Sequence, residues 1–197
     1  MSGPSFVENL KLSKLIQKVT DMKLGVICSV FCFLLISVPL IAEDESSPSP
    51  PPCSADEFGQ FDFWIGEWDL TWGEGDNAGT GTNIVTREMG GCVIEENFTT
   101  HDEEPFVGRS LSVYRPSDEK WYQTWVDNNG GYLDFVGEFK DGRMILSREA
   151  ERDGEKFLQR MVFHDIEENS LIWDWEKSTD GGKSWELLWQ IHYKRKQ

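Results

Sequence analysis

The chain has 197 residues, with 19 Lys+Arg against 35 Asp+Glu and a formal net charge of −16. So acidic a chain lacks the clustered basic surface that phosphate backbones require, which excludes a nucleic-acid groove. Hydrophobic residues at 39% with 13% aromatics supply a real core and exclude wholesale disorder, and nine Trp must line a core, a cavity or an interface.

Residues 25–42, GVICSVFCFLLISVPLIA, form an uncharged run with Lys23 before it and Glu43-Asp44-Glu45 after it. A basic flank, an apolar stretch and a small terminal residue, Ala42, describe an export signal. The run just reaches spanning length, so an uncleaved anchor is the alternative. Starting at Met22 gives a well-proportioned signal peptide, and we expect translation to begin there. Residues 43–57, EDESSPSPPPCSADE, are too rich in acid, Ser and Pro to bury a core and read as a flexible tether. Loss of 1–42 would remove four bases and two acids, leaving a net charge of −18 that repels anionic membranes. The expected destination is secreted or periplasmic, or anchored with the domain outside the cytoplasm.

Cys28 and Cys32 lie inside the apolar run and leave with it. Cys53 and Cys92 remain, an even pair suited to one disulfide in an oxidising compartment, unless Cys53 stays a free thiol in the tether. No Cys/His spacing builds a zinc site, and no metal or other cofactor is expected.

From residue 58 to 197 the chain alternates short aromatic and β-branched segments with turn clusters every 8–12 residues or so, the pattern of an all-β sandwich or barrel. Asp-Gly and Asn-Gly pairs in the turns supply the positive φ angles of tight hairpins. Ten strands are predicted, near 67–73, 79–88, 91–101, 106–115, 119–127, 131–139, 142–151, 155–165, 170–178 and 184–194. No helical period longer than a turn appears. Trp68, Leu70 and Trp72 share a face, as do Trp121, Gln123 and Trp125. Phe157, Met161 and Phe163 form another stripe, Trp173 and Trp175 a shorter one. Trp185, Leu187, Trp189, Ile191 and Tyr193 make the longest. A meander with one apolar face buries that face and loses its edges by closing. The expected fold is therefore a closed antiparallel up-and-down β-barrel of about ten strands, with a two-sheet sandwich as the alternative.

FDFWIGEWDL at 61–70, GG with IEE between 90 and 96, VGRSLSVY at 107–114, KWYQTWVDNNGG at 120–131, FVGEFKDGRMIL at 135–146 and STDGGKSWE at 178–186 follow in order. This set resembles a bacterial exported lipocalin-like, calycin-type domain family of unknown function. The resemblance implies a barrel with an interior pocket. It implies no reaction and no catalytic residue.

Ser178-Thr179-Asp180-Gly181-Gly182-Lys183-Ser184-Trp185 resembles the Asp-box of sialidase-like propellers. One copy cannot build a propeller, so the expected role is a rigid hairpin in which Asp180 accepts turn amides and Trp185 covers the turn. His192, in the last strand, invites comparison with haem barrels of the nitrobindin type. Strict alternation turns it, and likewise His164, away from the apolar stripes, while His101 sits beside acids near a strand end. Asp102–Glu104, Glu95-Glu96 and Glu149 with Glu151 read as solvated surface. Common hydrolase, protease and nucleotide motifs are absent.

Two polar residues fall in phase with apolar stripes. Gln123 needs partners or a ligand, and Arg148, in phase with Met144 and Leu146, needs a partner such as Asp127 or a ligand carboxylate. A ten-stranded barrel is wider than side chains readily fill, so a cavity is expected. The leading reading is a non-catalytic barrel binding a small, partly apolar molecule, lined by Trp68, Trp72, Trp121, Gln123, Trp125, Trp173 and Trp175, with Arg148 as polar anchor. The second is a small-molecule enzyme in the same cavity. A floor holding a carboxylate without a charge partner favours that one, and a uniformly apolar floor removes it. The third is an extracellular interaction module, marked by a large exposed aromatic patch.

Overall fold

The structure is a computed structural model that describes residues 50–197. The expected signal, the Met22 start and the first part of the tether lie outside the described residues. Ten antiparallel strands follow one another: β1 (Gly66–Trp72), β2 (Gly79–Glu88), β3 (Val93–Thr100), β4 (Val107–Arg115), β5 (Lys120–Asp127), β6 (Tyr132–Lys140), β7 (Arg143–Arg152), β8 (Glu155–His164), β9 (Ser170–Ser178) and β10 (Glu186–Arg195). Each strand pairs with its sequence neighbour, and β1 also pairs with β10, Leu70 opposite Tyr193, so the sheet closes into an up-and-down barrel. The fold is all-β, and the strand limits match the turn chemistry within about two residues.

Hairpins owe their sharpness to positive φ at Asp141-Gly142 and Asp153-Gly154, as Asp-Gly turns require. The Asp-box hairpin between β9 and β10 is held from within. Asp180 accepts from the amides of Lys183 (2.9 Å) and Ser184 (3.0 Å) and from the Ser178 and Ser184 hydroxyls. Those hydrogen bonds, led by the two from Ser184, hold its carboxyl well below the usual carboxylate range. The Trp185 indole donates to Gly182 O across the turn.

Besides two three-residue 3-10 turns, Gly75–Asn77 and Met89–Gly91, one longer element breaks the strand-only expectation. Asp56–Trp64 is a 3-10 helix placed just before β1. Its buried residues Phe58, Phe61 and Trp64 recur every three positions, the period at which a 3-10 helix repeats its face. Phe61 meets Trp121 edge-on at 4.8 Å and Phe163 edge-on at 5.6 Å, and Trp64 meets Phe163 at 4.9 Å. The helix thereby plugs the barrel end where β1 begins. A disulfide joins Cys53, in the segment leading to this helix, to Cys92 at the start of β3. Arg195 hydrogen-bonds to Ile65 O and Phe63 O and lies over the Trp68 ring, fixing the chain as it enters β1.

A second correction concerns the long stripe of β10. Leu187 pairs with Glu176 and Trp189 with Trp175, so a β-bulge falls between them. The extra residue reverses the alternation. Trp189, Ile191 and Tyr193 belong to the core, whereas Leu187 and Leu188 are exposed. Trp185 sits outside that core under the Arg160 guanidinium, which also pairs with Glu176. Among the described residues no helix is long and apolar enough to cross a membrane.

Candidate functional site

At the end opposite the 3-10 helix the barrel is hollow. A cavity of about 220 Å³ lies among side chains of β3, β5, β6, β8, β9 and β10 and reaches down to Trp64 of the 3-10 helix. Its wall is an aromatic belt. Trp173 and Trp175, two apart on β9, lie parallel at 6.3 Å, and Trp189 meets Trp173 edge-on at 5.8 Å. Phe98 continues the belt, 6.0 Å from Trp189 and 6.1 Å from Trp125. Ten strands set this width, and large rings spaced two apart on adjacent strands reach around it without filling it.

Trp125 lies flat against β4 because residue 108 is Gly. A Cβ there would collide with the indole ring. The Trp125 N–H donates to Asp127 at the mouth (3.1 Å), and Asp127 also accepts the amides of Asn129 and Gly131, each at 2.9 Å. Burial works to raise the Asp127 carboxyl, but those hydrogen bonds outweigh it and hold its pKa below the usual value.

The polar side of the cavity comes from β2, β3, β4 and β10. Glu96 is buried and lines the space, and it shares its face of β3 with Ile94 and Phe98. Asn83 Nδ2 donates to its Oε1 at 2.7 Å and Ser110 Oγ to its Oε2 at 2.6 Å. Asn83 Nδ2 also reaches the Tyr193 hydroxyl at 3.3 Å. The cluster contains no cation. Burial, opposed by the Ser110 and Asn83 hydrogen bonds, pushes the Glu96 carboxyl up to about 7. Burial and then the Glu96 charge push the Tyr193 hydroxyl far above the usual phenol range, so it keeps its proton as a donor. Asn83 Oδ1 is buried without a partner. An ionised carboxylate accepts about four hydrogen bonds, and two are made here.

This corrects the reading of Glu95-Glu96 as solvated surface. The alternation Ile94–Glu96–Phe98 was the available signal, and the pair of charges masked it. The floor is not uniformly apolar. It holds a carboxylate without a charge partner, the feature named above as favouring an enzyme.

Of the eight residues expected at the site, Gln123, Trp125, Trp173 and Trp175 border the cavity. Gln123 is satisfied on one side by donating to Ser112 Oγ at 2.8 Å. Trp68 and Trp121 are fully buried in the plugged half, where their indole N–H groups donate to Trp64 O and Gln60 Oε1. Trp72 packs edge-on against the far side of Trp189 at 5.3 Å and borders a shallow rim groove instead. Arg148 lies at the seam where the β6–β7 pairing ends, at Val136–Ser147. It bonds Gln159 Oε1 at 2.9 Å, not Asp127, and lies 5.9 Å from the ring of the cavity residue Phe135. It borders a second hollow that shares Gln123 and Phe135 with the cavity. Cavity residues outside the expected set include Trp64, Glu96, Trp189 and Tyr193. Of these, Trp189 and Tyr193 lie on the longest apolar stripe and Glu96 alternates with Ile94 and Phe98. Asn83 and Ser110, which support Glu96, carry no signal in the sequence.

None of the three histidines lines the cavity. His192 and His101 are exposed, and His164 pairs with Asp174 and Asp165. Among the exposed large hydrophobics only Tyr132 is aromatic, so the described surface carries no aromatic patch. No protein-family model matches this sequence, and no curated protein matches it significantly. Of the lipocalin-like resemblance, the closed ten-stranded antiparallel barrel is what the structure bears out.

Proposed function

We propose that this domain binds a small, partly apolar molecule in the aromatic cavity, with the Glu96 carboxyl as its polar anchor. The observation that carries the reading is the uncompensated carboxyl. Burying an ionisable group without a counter-charge costs folding free energy, and such sites concentrate where a ligand or substrate is received. The aromatic belt supplies contact area, and Glu96 with Asn83 supplies orientation, which is how small-molecule pockets divide the work. At about 220 Å³ the space is below the roughly 300–1,000 Å³ of drug-sized sites, so the ligand is compact. The Cys53–Cys92 disulfide supports folding in an oxidising, extracytoplasmic compartment.

Native mass spectrometry on protein purified from its own host, without denaturant, tests this. A retained low-mass adduct that disappears from Trp175→Ala supports it. A clean mass, with Trp emission that does not respond to any small aromatic probe, sinks it.

A second reading is favoured by the same group. A carboxyl pushed to about 7 in a largely apolar site has the proton affinity that general acid–base catalysis uses near neutrality. On that reading Glu96 moves a proton and Tyr193, kept protonated, hydrogen-bonds the reacting group. The distinguishing result is an adduct from Glu96→Gln whose mass differs from that of the wild type, because the variant then traps substrate where the wild type carries product.

A further inference from the structure

Resting on the binding role proposed above for this cavity, we infer that the ligand is an organic cation: a protonated primary or secondary amine on a compact, preferably aromatic, body. Three features converge on that charge and that donor pattern. The first is the sign of the lining. Glu96 sits deep in the cavity and Asp127 at its mouth, and among the described residues no Lys, Arg or His borders it, Arg148 approaching only the Phe135 ring, at 5.9 Å. The acceptors are the second. Glu96 uses two of about four acceptor positions, and the Asn83 carbonyl oxygen beside it has no donor. The donors on offer are the Tyr193 hydroxyl and the unpartnered Trp64 indole N–H, so the polar corner has more acceptor than donor positions open. A carboxylate ligand would meet Glu96 as a like charge. The third is the belt of Trp125, Trp173, Trp175 and Trp189, whose π-faces and edges surround the space. Aromatic walls attract a desolvated ammonium through the ring quadrupole, and indole does so best.

The N–H requirement separates this ligand from a quaternary ammonium, which aromatic walls alone would satisfy. The overall charge of −16 adds long-range attraction for a cation approaching the mouth.

Titration sharpens the inference. The groups that face Glu96 are Asn83 from β2, Ser110 from β4 and Tyr193 from β10, with Asp127 of β5 at the mouth. Of these Asp127 is already ionised near neutrality and Tyr193 stays protonated. Glu96 alone therefore titrates near pH 7. An aliphatic amine keeps its proton well above that, with a pKa near 10. Affinity for the amine should climb about tenfold from about pH 6 to about pH 8 as Glu96 ionises, with release of a proton on binding.

The experiment titrates the purified protein with 2-phenylethylamine, its neutral counterpart 2-phenylethanol and the anion phenylacetate, reading Trp emission or heat across that pH range. The amine is expected to bind tightest, with affinity rising with pH, and phenylacetate weakest. Glu96→Gln is expected to weaken the amine about tenfold or more and the alcohol by no more than about threefold, the difference being a charge-assisted hydrogen bond. An alcohol that binds as tightly as the amine, or an amine affinity flat with pH in the wild type, overturns the inference and leaves the binding cavity standing. The wild-type pH profile decides even where Glu96→Gln folds poorly. Failure of all three probes to bind removes the cavity reading and the inference with it.

Discussion

The two ends of this barrel are built from the same kinds of residue and behave as opposites. At the plugged end, Phe61, Trp64, Trp68 and Trp121 are almost wholly buried, and Trp68 and Trp121 place their indole N–H groups on Trp64 O and Gln60. At the open end, Trp125, Trp173, Trp175 and Trp189 are only partly buried and ring the cavity. Strand number sets one width along the whole barrel. What differs is the 3-10 helix Asp56–Trp64, an extra segment whose Phe58, Phe61 and Trp64 fill one end, whereas among the described residues the short 3-10 turn Gly75–Asn77 at the other end buries nothing. The comparison teaches that aromatic content does not distinguish core from site. Ownership of a filling partner does.

The largest expected effect comes from truncating one ring at each end. Phe61→Ala leaves a closed cavity among Trp121, Trp64 and Phe163 and should cost about 3–5 kcal/mol of stability. Trp175→Ala removes a larger ring from the rim of space that already exists, and should cost less than half as much, because the cost follows the new void and not the atoms removed. Urea denaturation of the two variants checks this. Equal losses would mean that the open end is packed as a core and that no site lies there.

Next in size is the pH dependence carried by Glu96. Its carboxyl holds a proton more tightly when folded, at about 7, than at its ordinary value of 4.5. The folded state therefore takes up a proton between those values. The stability this provides is full below about pH 4.5 and is lost as pH rises through about 7, a swing of about 3 kcal/mol. Glu96→Gln has no such group, so the stability difference between variant and wild type isolates it from every other titration. The variant should gain on the wild type between about pH 5 and about pH 8 and level off above. A difference constant with pH would mean that the carboxyl has a compensating partner. The open end would then carry no stored cost, which is the trade a functional site makes against stability.

How far sequence reasoning reaches also differs between the ends. Strand order, the turns and closure were readable throughout, because Asp-Gly turns and two-residue alternation are local signals. Alternation alone assigns Trp173 and Trp175 to the cavity. Phe58, Phe61 and Trp64 carry a three-residue period that a search for the longer α-helical repeat passes over. The bulge after Leu187 is invisible because one inserted residue changes no composition, yet it decides which of Leu187 and Trp189 faces inward. Arg148 was in phase with the core, but its destination depends on where the β6–β7 ladder ends, a fact of closure and not of either strand. Glu96 is the instructive case. Its alternation with Ile94 and Phe98 points inward, against the general rule that charges face water.

The smallest expected change in stability accompanies the clearest expected change in the cavity. Gly108 has no side chain because the Trp125 indole occupies that position. In Gly108→Ala the new methyl group displaces the ring, and the free direction for a partly buried side chain on the cavity wall is into the cavity. Ala in a strand interior gains about 0.5–1 kcal/mol over Gly, while the lost Trp125–Asp127 hydrogen bond costs about 1 kcal/mol, so the two nearly cancel. The variant should therefore keep its denaturation midpoint and lose its response to small aromatic probes. Trp125 emission would report the move directly, since the indole leaves its carboxylate partner. A sharp loss of stability instead would show that the ring cannot yield, and the hollow end would prove as tightly specified as the plugged one.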